Sequence, residues 1–438
     1  MQKTEVQHFN QRLIDFLAAS PTAFHATQNI ARRLSEAGFI ALKENDSWSL
    51  QKGQGYFVTR NDSSIIAFKY GESPLEQSGI RMFGAHTDSP CLKLKPNAYS
   101  VNAGYSQLAV ETYGGVLLNT WFDRDLSIAG RVTYKGDSAL PASCLVNFDR
   151  PIACLPSIAI HLDREANRNK TVNPQKEMLP ILMLAEKKPK SWHELLTSQI
   201  NQQYPALKVE SILDFELSLY DTQAPAVVGF KEEFIASARL DNLLSCYVGL
   251  EALLQSDSSE SCLLVCTDHE EVGSASACGA KGPMLEHFLQ RVIPDTELRL
   301  RTLDISLMLS ADNAHGLHPN YQDKHDSGHG PLLNAGPVIK VNANQRYSTT
   351  SETAALFKLL CKQVDVPVQS FVSRSDMECG STIGPITSAE VGVKTLDIGV
   401  PTFAMHSIRE LAGAEDAYAL SQVATLYFKQ VAAPGKLD

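Results

Sequence analysis

No stretch of this 438-residue chain is apolar for the roughly 20 residues that a membrane helix requires, so no bilayer span is expected. The opening MQKTEVQHFNQRLIDFL lacks the charged start, apolar stretch and small-residue cleavage site of a secretory signal. Among nine cysteines, an odd number, there is no CxxC pair. Reduced thiols in the cytoplasm fit that usage better than a disulfide framework. Cys262 and Cys266 flank the strand-like CLLVC and read as core residues rather than ligands. No basic patch is present either: the formal net charge is −10 and the lysines and arginines are dispersed. Nucleic acid and anionic membrane are therefore disfavoured as partners. No internal repeat or low-complexity segment is visible.

What remains is ordinary for a globular enzyme, 44% hydrophobic and 20% charged, with length enough for a large core and two or three domains. Val6, Phe9, Leu13, Phe16 and Leu17 recur at helical spacing. A second helix is predicted to open with Ser20 as cap and Pro21 in its first turn, and to stop near Gly38. Extended segments follow at Ser64 to Tyr70 and Ile80 to Ala85, the latter running into HTDSP. From about Ala236 the pattern alternates. Helices are predicted at Asn242 to Leu254, near Met284 to Gln290, and after Thr349 with Glu352 in a capping box. Strands are predicted at Cys262 to Thr267, Asp304 to Ser310, Val338 to Val341, Val368 to Val372 and Thr395 to Ile398. Helices alternating with short β-branched runs predict an α/β fold with a mixed, largely parallel sheet flanked by helices.

Residues 92–224 read differently, with short strand-like pieces such as Gly115 to Trp121, Arg131 to Tyr134 and Ile158 to His161, broken by Gly, Pro and Asn. They are read as a β-rich domain inserted into a catalytic domain formed by residues 1–91 and 225–438.

Scattered along the catalytic part are His86 with Asp88, Asp241, the pair Glu270 and Glu271, Asp312, and His406. His86, Glu270, Glu271 and Asp312 each follow a predicted strand, Asp241 precedes a helix, and His406 lies in a loop after the last strand. Ligands of open α/β sheets gather at the carboxyl ends of strands, where loops converge on rigid supports. Imidazole and carboxylate without thiolate suit a catalytic Zn²⁺ or a similar ion, and five ligands suit two metals with a bridging carboxylate. Neighbours in an extended loop project differently, so one of Glu270 and Glu271 can ligate while the other serves as general base. Asp88 is spaced to accept the ring N–H of His86 that a metal leaves unused. Taken singly, Asp241 reads as an N-cap, the Glu pair as a solvated face and HTDSP as a turn. Their agreement in chemistry and position argues for a metal site.

At these residues the sequence resembles the M18 metallopeptidases, the aspartyl aminopeptidases, in their bacterial form. The matching segments are GAHTDSPCLKLKP from Gly84, SARLDN from Ser237, TDHEEVGSASACGA from Thr267, SADNAHGLHPNY from Ser310, GPVIKVNANQRYST from Gly336, CGSTIGP from Cys379 and AMHSIRE from Ala404. The resemblance implies that His86 and Asp312 hold one zinc, Glu271 and His406 the other, and Asp241 bridges them. It implies Glu270 as general base, Asp88 orienting His86, and two Zn²⁺ per subunit, with Mn²⁺ or Co²⁺ as alternatives. It further implies that the inserted segment is a dimerisation domain whose His161, in IAIHLDR, reaches a partner subunit's active site. Similar proteins form a tetrahedral dodecamer with an internal chamber and prefer an N-terminal Asp or Glu. Lys340 falls where the family's pocket lysine lies, with Tyr347 close by; without the resemblance, Lys340 reads as a solvent-facing strand-edge lysine. His315 and His318 match the family's segment but receive no role.

The expected function is a cytoplasmic di-zinc aminopeptidase that removes acidic N-terminal residues from peptides. Alternatives are a di-metal aminopeptidase of broad or neutral specificity, an N-acyl amino acid deacylase, or a catalytically silent assembly protein of the same fold.

Overall fold

The computed structural model describes residues 3–188, 190–257, 259–430 and 435. The chain forms two compact units, one of residues 1–88, 225–405 and 410–438, the other of residues 89–224 and 406–409.

The first unit is built on a nine-stranded mixed sheet. Its order is Ile40–Ala41, Gly55–Arg60, Ser64–Lys69, Cys262–Thr267, Arg81–His86, Leu307–Ala311, Lys394–Gly399, Val338–Val341 and Gln369–Val372. The four strands from Cys262–Thr267 to Lys394–Gly399 run parallel to one another. The Ser64–Lys69 strand pairs antiparallel with Cys262–Thr267, and Val338–Val341 antiparallel with Lys394–Gly399. Central parallel strands are buried on both faces and so read as continuous apolar runs. Here Phe83, Ala85, Leu264 and Cys266 face one core with helices Lys3–Ala18, Leu240–Gln255 and Asp416–Lys429. Met82, Leu263, Val265 and Met308 face a second core with helix Met284–Val292. A five-stranded sheet in the same unit has the order Ala226–Val228, Phe234–Ser237, Glu410–Gly413, Pro401–Phe403 and Ala314–His315.

The second unit is a six-stranded antiparallel sheet ordered Ala142–Asn147, Leu126–Lys135, Ser211–Asp221, Cys91–Asn102, Tyr105–Tyr113 and Ile181–Leu184. Helix Trp192–Gln203 buries Trp192, Leu196 and Ile200 in the core of this unit.

Several expected elements differ. Gly115 to Trp121 ends in a 3-10 turn at Leu118–Trp121, and Ile158 to His161 forms no strand but an exposed segment of turns. Asp304 belongs to an unforeseen helix, Thr296–Asp304, capped by Asp295, and the strand starts only at Leu307. The second helix starts at Ala23 with Thr22, not Ser20, accepting the His25 amide. In helix Ser351–Gln363 the capping pair is Thr350 and Thr353 rather than Thr349 and Glu352. In both helices a Thr one to two residues further along reaches the orphan amide, which short-range pattern does not resolve.

Candidate metal centre

Three adjacent parallel strands deliver acid and imidazole groups at their carboxyl ends. Thr267 pairs with His86 across the first two strands, and Ser310 with Gly84 across the second and third. Asp268 to Glu271, His86 to Asp88, and Asp312 therefore leave the sheet at one level. Asp241 comes from the start of helix Leu240–Gln255, behind a left-handed Arg239. Its amide donates to Glu410 Oε2 at 2.8 Å, and Asn242 Nδ2 donates to the Ala311 carbonyl at 2.8 Å. These two bonds pin the helix start over the strand ends.

His86 Nε2 lies 3.5 Å from Asp241 Oδ1 and 3.4 Å from Asp312 Oδ1. Ligand atoms of His86, Glu270 and Glu271 lie within 4.8 Å of one another, as do those of His86, Asp241 and Asp312. Behind His86, the Cys246 thiol donates to its carbonyl at 3.0 Å. His86, Asp88 and Asp241 are each less than 5% exposed.

Asp88 acts on both sides of the centre. His86 Nδ1 lies 3.0 Å from the Asp88 backbone carbonyl and 3.5 Å from Asp88 Oδ1. The carboxylate also accepts the Glu270 amide at Oδ1 and the Glu271 amide at Oδ2, both at 3.1 Å. Its side chain thus caps the 3-10 turn Glu270–Val272.

Burial by itself lowers the pKa of His86, but hydrogen bonds to Asp241, Asp312 and Asp88 outweigh it and hold the imidazole well above its ordinary range. Burial, reinforced by Asp312, Asp241 and Asp88 and opposed by His86, pushes Glu270 up to about 7. Burial and Asp241 hold Glu271 well above the carboxylate range. Asp312 goes the other way: burial raises it, but Lys340 and His86 together hold it well below. One imidazole and four carboxylates, with no thiolate, fit Zn²⁺ or a similar divalent ion. Crowded, water-poor carboxylates call for such a cation.

Lys340 is buried, not solvent-facing. Its Nζ is 3.1 Å from Asp312 Oδ2 and 5.4 Å from the centre of the Tyr347 ring, which is also buried. His161 and His406 belong to the second unit. His161 is exposed, and His406, with φ 68°, has Nδ1 3.1 Å from the Gly115 carbonyl. Sequence reasoning missed Glu410, Asn242 and His269; all three lie inside quoted segments, AMHSIRE, SARLDN and TDHEEVGSASACGA, the only signal available for them.

Residues 16–428 match the family model of the aminopeptidase I zinc metalloproteases (M18). The chain is 57% identical to a probable M18 family aminopeptidase 2 of Ectopseudomonas mendocina, over 97% of this chain and 99% of the relative. In structure it resembles a chain of the cryo-EM structure of the Ape4 and Nbr1 complex, with a TM-score of 0.93 at 39% identity over 98% of this chain and 87% of that one. It also resembles the mApe1 dodecamer of S. cerevisiae, with a TM-score of 0.82 at 27% identity over 96% of both chains. The chain therefore belongs to the M18 family of zinc metalloproteases and is one of its aminopeptidases.

Proposed function

We propose that this aminopeptidase removes N-terminal Asp or Glu from peptides, in the cytoplasm, with two divalent ions per subunit. The observation that carries the acidic preference is the buried Lys340 ammonium, 3.1 Å from Asp312 and beside Tyr347. A desolvated ammonium with further donors to offer favours a substrate carboxylate and penalises an apolar side chain, which leaves those donors unmatched.

In this reading His86 and Asp312 would hold one ion, Glu271 and His406 the other, and Asp241 would bridge. Such a pair supplies a Lewis acid for the scissile carbonyl and an anchor for the α-amino group. Glu270 takes a proton from the attacking water and returns it to the leaving amine. Asp88 keeps both glutamates in place through their amides and His86 through its own carbonyl. His161 of a neighbouring subunit supports the oxyanion, so assembly belongs to catalysis. In that scheme the second unit serves dimerisation, within a dodecamer of the kind that S. cerevisiae mApe1 forms.

The test is Glu270→Gln assayed on a panel of Asp, Glu and Leu peptides. Turnover is expected to fall by about 10²- to 10⁴-fold with metal content retained. Unchanged hydrolysis removes Glu270 as base, and equal wild-type turnover of Leu and Asp peptides removes the acidic preference.

A further inference from the structure

The turn that carries Glu270 is too short to hold its own direction. Glu270–Val272 is a single 3-10 turn, which leaves most of its backbone groups to find partners elsewhere. Asp88 secures one side through the Glu270 and Glu271 amides. The base is closed by Ser64, whose Oγ accepts the Asp268 amide at 2.8 Å and donates to the Cys278 carbonyl at 2.9 Å. The third support is the His269 side chain. Its Nδ1 lies 2.8 Å from Ser276 Oγ and 3.5 Å from Cys278 Sγ, and its Nε2 lies 3.5 Å from Asp268 Oδ2. Ser276 Oγ also accepts the Gly279 amide at 2.9 Å, tying the ring to the returning arm of the loop.

Backbone geometry makes this third support necessary. His269 sits at φ 65° and Ser274 at φ 62°, on either side of the turn, with Gly273 at φ 94°. Left-handed backbone is uncommon at non-glycine residues and persists where the surroundings over-determine it. The His269 carbonyl accepts the Ser274 amide at 2.8 Å, so these two strained residues close the turn on each other. Asp268, His269 and Cys278 also offer ligand atoms within 4.8 Å of one another. Here the three side chains contact one another directly, the thiol 3.5 Å from Nδ1 and a carboxylate oxygen 3.5 Å from Nε2.

We infer that His269 is a positioning residue, whose ring, braced between Asp268 and the Ser276–Cys278 segment, fixes the backbone immediately before Glu270 and so aims its carboxylate. This rests on the reading of Glu270 as general base. A displacement of about 1 Å at a reacting group lowers a rate by about 10²-fold, so the brace bears on turnover more than on substrate affinity.

The experiment compares His269→Gly, His269→Asn and Ser276→Ala with Glu270→Gln in the full-length, zinc-loaded protein. kcat and KM on an Asp peptide, bound metal and the thermal midpoint are measured for each. Glycine accepts left-handed φ freely but has no brace; asparagine tolerates the same φ and keeps an amide able to bond Ser276. His269→Gly is expected to lose about 10- to 100-fold in kcat, with KM within about twofold and metal content unchanged. His269→Asn should recover most of that loss, and Ser276→Ala should lower kcat in the same direction. Wild-type kcat in His269→Gly, a loss explained by missing metal, or no recovery in His269→Asn overturns the inference. If Glu270→Gln itself keeps full activity, the general-base reading falls and this inference with it. If Glu270→Gln is inactive and His269→Gly is not, the positioning role alone fails.

Discussion

Adjacent residues 270 and 271 share one capping carboxylate, yet the chemistry proposed for them differs, base for one and ligand for the other. Asp88 makes this division workable by holding both backbone amides at 3.1 Å, which leaves neither glutamate carboxylate committed to the cap. Lys340 shows the same economy, since one ammonium neutralises Asp312 and faces the Tyr347 ring. Lys340→Met is expected to lower kcat/KM for Asp and Glu peptides by about 10- to 100-fold, the equivalent of one lost charge-assisted hydrogen bond, with much less effect on Leu peptides. Parallel assays on the two peptide classes check it, and a uniform loss with reduced bound metal would assign the lysine to Asp312 alone.

At the scale of elements, the centre depends on strands ending at one level and on a backbone crossing that only glycine permits. The Asp312 amide donates to the Ile398 carbonyl at 3.0 Å, and the Ala314 amide to Val400 at 2.9 Å, so the segment bearing Asp312 runs tightly along residues 398–400. A Cβ on Gly399 would lie 1.9 Å from the Asp312 carbonyl oxygen. Gly399→Ala must therefore move Asp312 or the strand. Overpacking of this kind costs about 1–3 kcal/mol. The expected outcome is a lower thermal midpoint together with lost zinc affinity and activity; a midpoint drop with normal metal binding would show that the strand, not Asp312, gives way.

Over the whole molecule, each unit carries its own buried core, and the first also carries a stability element that depends on pH. Asp416, fully buried at the start of the C-terminal helix, accepts the amides of Asn334 at 2.6 Å and Gly336 at 2.9 Å. Burial, with Glu415 adding to it and the two amides opposing it, pushes this carboxyl up to about 7 from 3.8. The folded state thus keeps a proton that the unfolded chain releases near 3.8. Stability from this group is complete below that value and is lost as pH rises through about 7. Asp416→Asn cannot titrate, so wild type is expected to lose stability relative to the variant between pH 4 and pH 7. Urea unfolding of both proteins across that range checks the sign, and a constant difference would refute it. Among the described residues no helix is long and apolar enough to cross a membrane.

The residue types of the centre and their places at strand ends follow from the sequence, because apolar runs mark buried strands and the acids and imidazoles stand where those runs stop. The parallel character of the central sheet is legible for the same reason. Other features rest on contacts that no local pattern encodes. Asp88 meets the Glu270 amide across 182 residues, and Asp241 meets Glu410 across 169. The burial of Lys340 depends on Asp312 from a neighbouring loop, and the turns at Ile158 to His161 carry the same apolar residues a strand would. Residues 406–409 group with the second unit although the chain on either side of them belongs to the first. Sequence by itself determined which chemistry gathers and on what kind of sheet. Tertiary structure alone decided which amide each carboxylate holds, because hydrogen bonds between distant segments form only where packing has already brought donor and acceptor within about 3 Å.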